Sequence, residues 1–159
     1  MPLRSHARLP YLAALIVACL LALPRLPAPA TARARPAPKL IEVNLTTQWL
    51  TATAHGHVVF RAPVSTGKPG LATPAGHFTI YAKRREQTLQ GCIRGDCWRR
   101  PHVPAVMYFT GAVAFHGADW HHAFGTGRRV SHGCVNLRVA DAIWLYKWAP
   151  IGTPVWVHY

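Results

Sequence analysis

From residue 40 onward the chain is cut into short runs in which apolar and polar residues alternate, and only one stretch carries helical spacing. Residues 40–45, 48–53 and 57–61 alternate in this way and are rich in Thr and Val, with His55-Gly56 as a turn before the third. Alternation places every second side chain on one face, so these runs predict consecutive strands of an antiparallel meander. Residues 64–76, thick with Gly and Pro, predict a loop that leads into a strand over 77–82. Lys83-Arg84-Arg85-Glu86 reads as a solvated strand end or loop, with a patch facing an acidic polymer as the alternative. Residues 86–102 lack periodicity and are expected to form a long excursion, the lid or rim of a cleft. Strand character resumes over 103–109 and 112–115, parted by Thr110-Gly111, and residues 117–130 read as another loop. Val139, Ala142, Ile143 and Tyr146 then share one face of a helix over 139–148, with Asp141 and Lys147 suited to its dipole and Pro150 and Gly152 ending it. Residues 153–159 close the chain as a last strand. The expected fold is mainly β, with one packed C-terminal helix and loops that carry the site.

Within that frame, Val130-Ser131-His132-Gly133-Cys134-Val135-Asn136-Leu137-Arg138 displays a thiol two residues after an imidazole. Gly133 permits a tight turn, and small polar neighbours are expected to keep Cys134 near solvent. A thiol attacks a carbonyl only with a base to take its proton and donors to hold the oxyanion that results. Two histidines can serve: His132 is tied to the thiol by the chain, and His116 ends an apolar strand that can present it from across the site. The Gly133 and Cys134 amides could form the oxyanion site, and an imidazolium beside the thiol would lower its pKa.

Residues 1–34 read as a secretory signal: Arg4 and Arg8, an apolar run over 11–23 and Ala32-Arg33-Ala34 as the cleavage site. Ile16-Val17-Ala18-Cys19 resembles a lipobox, so lipid anchoring through Cys19 is the alternative. Residues 35–39 form a short linker and residues 40–159 one domain. Past Ala34 there are 14 Lys and Arg against 5 Asp and Glu, a net charge of +9. Nucleic acid is the usual partner of such a charge, but an exported chain meets anionic wall polymer and lipid first, so an anionic envelope surface is expected instead. Export to the periplasm and a monomeric state are the expectations. Three cysteines follow the signal, which in an oxidising compartment suggests one pair and one free thiol. Cys92 and Cys97 close a short loop with Gly95 at its turn, so they are the expected disulfide, leaving Cys134 free.

His116-Gly117, thirteen residues, then Ser131-His132-Gly133-Cys134-Val135-Asn136 resembles the signature of the bacterial L,D-transpeptidases with a YkuD-type catalytic domain. Val64-Ser65-Thr66-Gly67-Lys68-Pro69-Gly70, Thr73-Pro74-Ala75-Gly76-His77-Phe78-Thr79-Ile80 and Gly152-Thr153-Pro154-Val155-Trp156-Val157 resemble further segments of that family in the same order. The resemblance implies a β-sandwich or barrel and a cysteine acyltransferase acting on peptidoglycan stem peptides without metal or cofactor. It makes Cys134 the nucleophile, His116 the general base and later acid, and Gly117 the residue whose carbonyl orients His116. His132, Gly133 and the Cys134 amide shape the oxyanion site, while Ser131, Asn136 and Arg138 hold the turn or the substrate. Trp120, and Trp98 with it, could be substrate platforms. The thiolate would attack the carbonyl of a tetrapeptide's third residue and expel D-alanine. The acyl group would pass to an amine of another stem, a lipoprotein lysine, a free D-amino acid or water, and carbapenems would acylate the same cysteine.

Two other classes compete with that reading. His116, His132 and Cys134, with His121 or His122, are ordinary zinc ligands, although the spacing of His132 and Cys134 strains two ligands on one turn. A non-enzymatic wall-binding protein could also keep the fold.

Overall fold

The computed structural model describes residues 39–159; the leader over 1–34, Cys19 and the linker up to residue 38 lie outside the described residues. The meander forms as its alternation dictates: β1 (Leu40–Asn44), β2 (Trp49–Ala54) and β3 (His57–Pro63) pair antiparallel in sequence, with His55 and Gly56 at positive φ in the turn. β4 (Gly76–Thr79) follows the Gly- and Pro-rich segment. Next come β5 (Ala82–Ile93), β6 (Asp96–Thr110), β7 (Val113–Gly117), β8 (Val135–Leu137), α1 (Val139–Trp148) and β9 (Pro154–His158). The last strand inserts between β1, to which it runs parallel, and β4, giving a five-stranded sheet of order β3-β2-β1-β9-β4. The second sheet has the order β5-β6-β7-β8, and α1 packs against β6 and β7. Inward residues of both sheets, among them Ile41, Val43, Leu50, Met107, Phe115 and Val157, merge with Ala142 and Leu145 of the helix into one core.

Three expectations are corrected here. Residues 86–102 are not a loop: β5 and β6 form one long antiparallel hairpin whose turn lies at Arg94 and Gly95, both at positive φ. Pro101 and Pro104 masked the strand pattern. The ladder slips between Gln87 and Leu89 while His102 and Ala105 adopt positive φ, an irregularity that absorbs residues unable to donate to a regular ladder. The strand expected over 77–82 is broken at Ile80 and Tyr81, and Lys83-Arg84-Arg85-Glu86 begins β5 as a strand end on which Arg84, Arg85 and Glu86 are exposed. Lys83 is drawn inward, where its Nζ donates to the Tyr146 and Ala149 carbonyls at 2.6 and 2.7 Å and closes the C-terminal end of α1. Finally, α1 buries Ala142 and Leu145, while Ile143 is 39% exposed, because the face that meets the sheets is turned from the one that residues 139, 142, 143 and 146 define.

Candidate active site

β7 and β8 run parallel with Phe115 opposite Val135 and His116 opposite Asn136. Side chains alternate along a strand, so Ala114, His116, Cys134 and Asn136 share one face. That face looks into a cleft of about 670 Å³ whose lining includes His116, Cys134, Trp120, His121, His132 and Asn136. The far wall is the β5–β6 hairpin, through Leu89, Gly91, Trp98 and Arg100 among others. The lid expected over residues 86–102 is therefore built as a two-stranded arm.

His116 is buried, 3% exposed, and its Nδ1 lies 3.0 Å from the Gly117 carbonyl oxygen. An oxygen acceptor there requires Nδ1 to carry the proton, which leaves Nε2 as the basic nitrogen. Burial pushes its pKa down from 6.5 to about 4, opposed by the Gly117 carbonyl, which favours the charged ring, and aided by nearby His121. Trp120 stacks on the ring at 5.7 Å, and the Arg100 guanidinium lies 5.4 Å from the centre of the Trp120 indole. Cys134 is a free thiol, half-buried against Val103, Val106 and Ala114. Burial raises its pKa, offset in part by a hydrogen bond from the Ala114 backbone. Burial thus works against the lowered thiol pKa that a neighbouring imidazolium would bring, because desolvation disfavours the charged form of each group.

The turn before the thiol is held from three sides. Gly133 sits at φ +120°, a conformation open to glycine. Its N–H donates to Ser131 Oγ at 3.1 Å, and the Ser131 hydroxyl donates to the Cys134 carbonyl at 2.5 Å. Thr73 Oγ donates to the Gly133 carbonyl at 2.7 Å and accepts from the Gly67 N–H at 2.9 Å. Residues 65–68 run beside residues 131–136 through backbone bonds joining Ser65 with Asn136, Thr66 with Ser131 and Lys68 with Ser131. The proposed Gly133 oxyanion donor is thus already engaged, whereas the Cys134 N–H, like that of His132, makes no hydrogen bond among the described residues.

His132 faces the hairpin. Its Nε2 lies 3.1 Å from Asp96 Oδ2, the same oxygen that pairs with Lys68 Nζ, and Trp98 stacks on the ring at 4.0 Å. His121, read from sequence as a loop residue, accepts the Ala123 N–H on Nδ1 at 3.2 Å and approaches the Asn136 amide through Nε2 at 2.9 Å. A neutral His121 so placed carries its proton on Nε2, so Asn136 must turn its side-chain oxygen to it, which gives the otherwise unpartnered buried Oδ1 an N–H. Arg138 lies elsewhere: exposed at the N-cap of α1, it does not line the cleft. Cys92 and Cys97 face each other across the hairpin tip and are disulfide-linked. Among the described residues no cluster of three or more His, Cys, Asp or Glu could hold a metal, so the zinc set of His116, His132 and Cys134 is not assembled. Sequence reasoning missed Thr73, Gln48, Lys68 and Asp96. Gln48, fully buried, ties the β1–β2 turn to Thr66 by two side-chain bonds of 2.8 and 2.9 Å; following Thr46 and Thr47, it reads in sequence as an ordinary turn residue.

A family model described as the L,D-transpeptidase catalytic domain (YkuD) matches residues 38–157. L,D-transpeptidase 1 of Mycobacterium tuberculosis is 28% identical over 118 residues, covering 70% of this chain and 47% of that protein. Probable L,D-transpeptidase 3 of the same organism is 33% identical over 99 residues, 58% of this chain and 36% of that one. The chain therefore spans about half the length, or less, of the curated relatives it matches. Among solved structures, an L,D-transpeptidase from Mycobacterium smegmatis superposes with a TM-score of 0.71 at 29% identity, covering 76% of this chain and 58% of the other. LD transpeptidase LdtMt1 in complex with imipenem gives 0.70 at 26% identity, with coverages of 75% and 58%.

Proposed function

The chain belongs to the L,D-transpeptidase (YkuD) catalytic-domain family, and on that premise we propose that it is a cysteine acyltransferase of peptidoglycan stem peptides. The observation that carries the reading is one free thiol, Cys134, on the same cleft face as a buried histidine whose Nδ1 is fixed by a carbonyl. In the first half-reaction His116 Nε2 takes the Sγ proton as the sulfur attacks the carbonyl carbon of the stem's third residue. The oxyanion is held by the Cys134 N–H. Collapse breaks the peptide bond, the departing D-alanine amine takes the proton from His116, and a thioester remains on Cys134. In the second half-reaction His116 receives a proton from the acceptor as it attacks the thioester, and the thiol is re-formed.

An amine acceptor makes the reaction a transpeptidation and water makes it an L,D-carboxypeptidation. Ser131 serves the site by bracing the turn, Asn136 by holding His121 at the cleft, and Trp120 offers an aromatic face to the substrate. Burial that lowers the His116 pKa and raises that of Cys134 is compatible with a base that takes the thiol proton as the carbonyl is attacked. Export to the periplasm, a monomeric state and residence near an anionic envelope surface complete the proposal, and the mature charge of +9 supports the last.

Incubation with purified tetrapeptide muropeptides, with products identified by mass, tests the reading and names the acceptor. Cys134→Ala should abolish D-alanine release while leaving the far-ultraviolet circular dichroism unchanged; turnover in that variant overturns the assignment. Imipenem should add its mass to the wild-type chain and not to Cys134→Ala.

A further inference from the structure

The hairpin tip does more than wall the cleft, because its one acidic side chain reaches back to the residue two positions before the nucleophile. Asp96 is the first residue after the turn, next to Cys97, whose bond to Cys92 clips the two strands together at that point. A single oxygen, Oδ2, takes both Lys68 Nζ and His132 Nε2, and Lys68 Nζ itself lies 3.3 Å from that ring nitrogen. Lys68 has only hydrogens to offer, so beside it Nε2 could act only as an acceptor, and the ring would then carry its proton on Nδ1. The carboxylate reverses that choice: it can only accept, so Nε2 must donate and the neutral ring keeps its lone pair on Nδ1. Two opposite tautomers are thus on offer, and Asp96 selects one. Lys68 and His132 together hold the Asp96 carboxyl below the usual carboxylate range, so it remains ionised.

Packing fixes the ring plane as the carboxylate fixes the proton. Trp98 lies across Gly91, its ladder partner, where a Cβ would meet the indole at 2.6 Å. That close approach lets the indole stack on His132 at 4.0 Å and 16°. The backbone of residue 132 continues directly into Gly133 and Cys134, so the ring is the handle by which the hairpin grips the nucleophile's turn.

We propose that Asp96, carried on the disulfide-clipped tip of the hairpin, is a positioning residue that fixes the tautomer and orientation of His132 beside Cys134. The proposal rests on Cys134 being the acylated nucleophile. Neither the charge pair nor the stack is needed to hold the core, which lies on the other side of the sheet. Loss of Asp96 therefore acts on turnover before it acts on folding.

The test compares the full-length wild type with Asp96→Ala and the isosteric Asp96→Asn, the disulfide intact. Steady-state D-alanine release from tetrapeptide stems gives kcat and KM, and nitrogen-15 spectra of the histidine rings give the His132 tautomer. Asp96→Ala should lower kcat by about 10- to 100-fold, the scale of a small misplacement at a reacting centre, with KM moved less than about twofold. His132 should pass from the Nε2–H to the Nδ1–H form, since Lys68 alone then meets Nε2. Asp96→Asn, whose amide can meet the ring with either its oxygen or its NH2, should fall between wild type and Ala in both readings.

Unchanged kcat in Asp96→Ala overturns the proposal, as does lowered kcat with the His132 ring unaltered, which would place the effect elsewhere. Retained turnover in Cys134→Ala sinks the acyltransferase reading instead. The ring spectra then still decide whether Asp96 governs His132, so the two failures are distinguishable.

Discussion

His116 is the side chain whose environment makes the sharpest claim. It titrates near 6.5 in an unfolded chain and near 4 when buried here. As pH falls the unfolded state takes the proton first, so stability present in full above 6.5 is lost between 6.5 and 4. The depression corresponds to about 3 kcal/mol. His116→Asn should remove this dependence: wild type and variant compared by urea midpoint at pH 7 and pH 4.5 should diverge, the wild type losing more. Other groups, including His158, whose pKa is raised by the Tyr159 carbonyl and Glu42, contribute to both proteins and cancel in the difference. Parallel losses would mean that His116 does not titrate in this window. The same burial places the acid limb of D-alanine release near pH 4 and not near 6.5, and alkylation of Cys134 by iodoacetamide should rise only above the ordinary thiol range. That Cys134 and His116 would meet at one cleft was legible because a thiol in a Ser-His-Gly-Cys turn and an imidazole at a strand end are informative by type and place. Their charge state was not legible, since it depends on how completely Val103, Val106, Ala114 and Trp120 exclude water. Thr73 stayed hidden for a related reason: its partner Gly133 lies 60 residues away.

At the level of elements, Lys83 shows how composition misleads. Within a run of four charged residues it reads as solvated, yet it spans from β5 to the end of α1 and donates to two carbonyls that the helix leaves unpaired. Its Nζ also lies 4.1 Å over the Tyr146 ring. Lys83→Met keeps the stem and removes the charge, and should cost about 2 kcal/mol through the lost charge-assisted bonds and the uncapped helix end. Thermal unfolding reads this directly, and Arg85→Met, exposed on the same strand, is the control that should change little. The meander and the helix bounds could be read because each follows from a local period, 2 or 3.6. The hairpin could not, because its partnership lies between strands. Pro101 and Pro104 forbid a regular ladder only where an N–H is required, and the slip at Gln87 and Leu89 with positive φ at His102 and Ala105 removes that requirement. Gly91 likewise reads as a breaker until its partner Trp98 is seen to occupy the space a side chain would fill.

For the molecule as a whole, the decisive contact joins the first described strand to the last. β9 lies inside the five-stranded sheet, paired on one edge with β1 from Ile41 to Asn44 and on the other with β4 from Gly76 to Thr79. Terminal segments usually fray and tolerate truncation. This one buries Val155 and Val157 at 1% exposure each and takes the Leu45 N–H on the His158 carbonyl at 2.6 Å. Without β9, both β1 and β4 lose a full ladder at once, and the meander is severed from the strand that follows the loop holding Thr73. That loop supplies the hydroxyl that grips Gly133, so the damage extends from the sheet to the turn that carries Cys134. Val157→Asp, which puts a carboxylate where Val43 and Gly76 flank the position, should therefore cost more than about 4 kcal/mol and abolish the cooperative urea transition. Removing residues 154–159 should do the same. Because this pairing closes only when the two ends of the domain meet, refolding should be slow, on a timescale of milliseconds to seconds. Stopped-flow fluorescence of the tryptophans measures that rate, and a microsecond phase carrying the whole amplitude would show that the β1–β9 pairing does not limit folding.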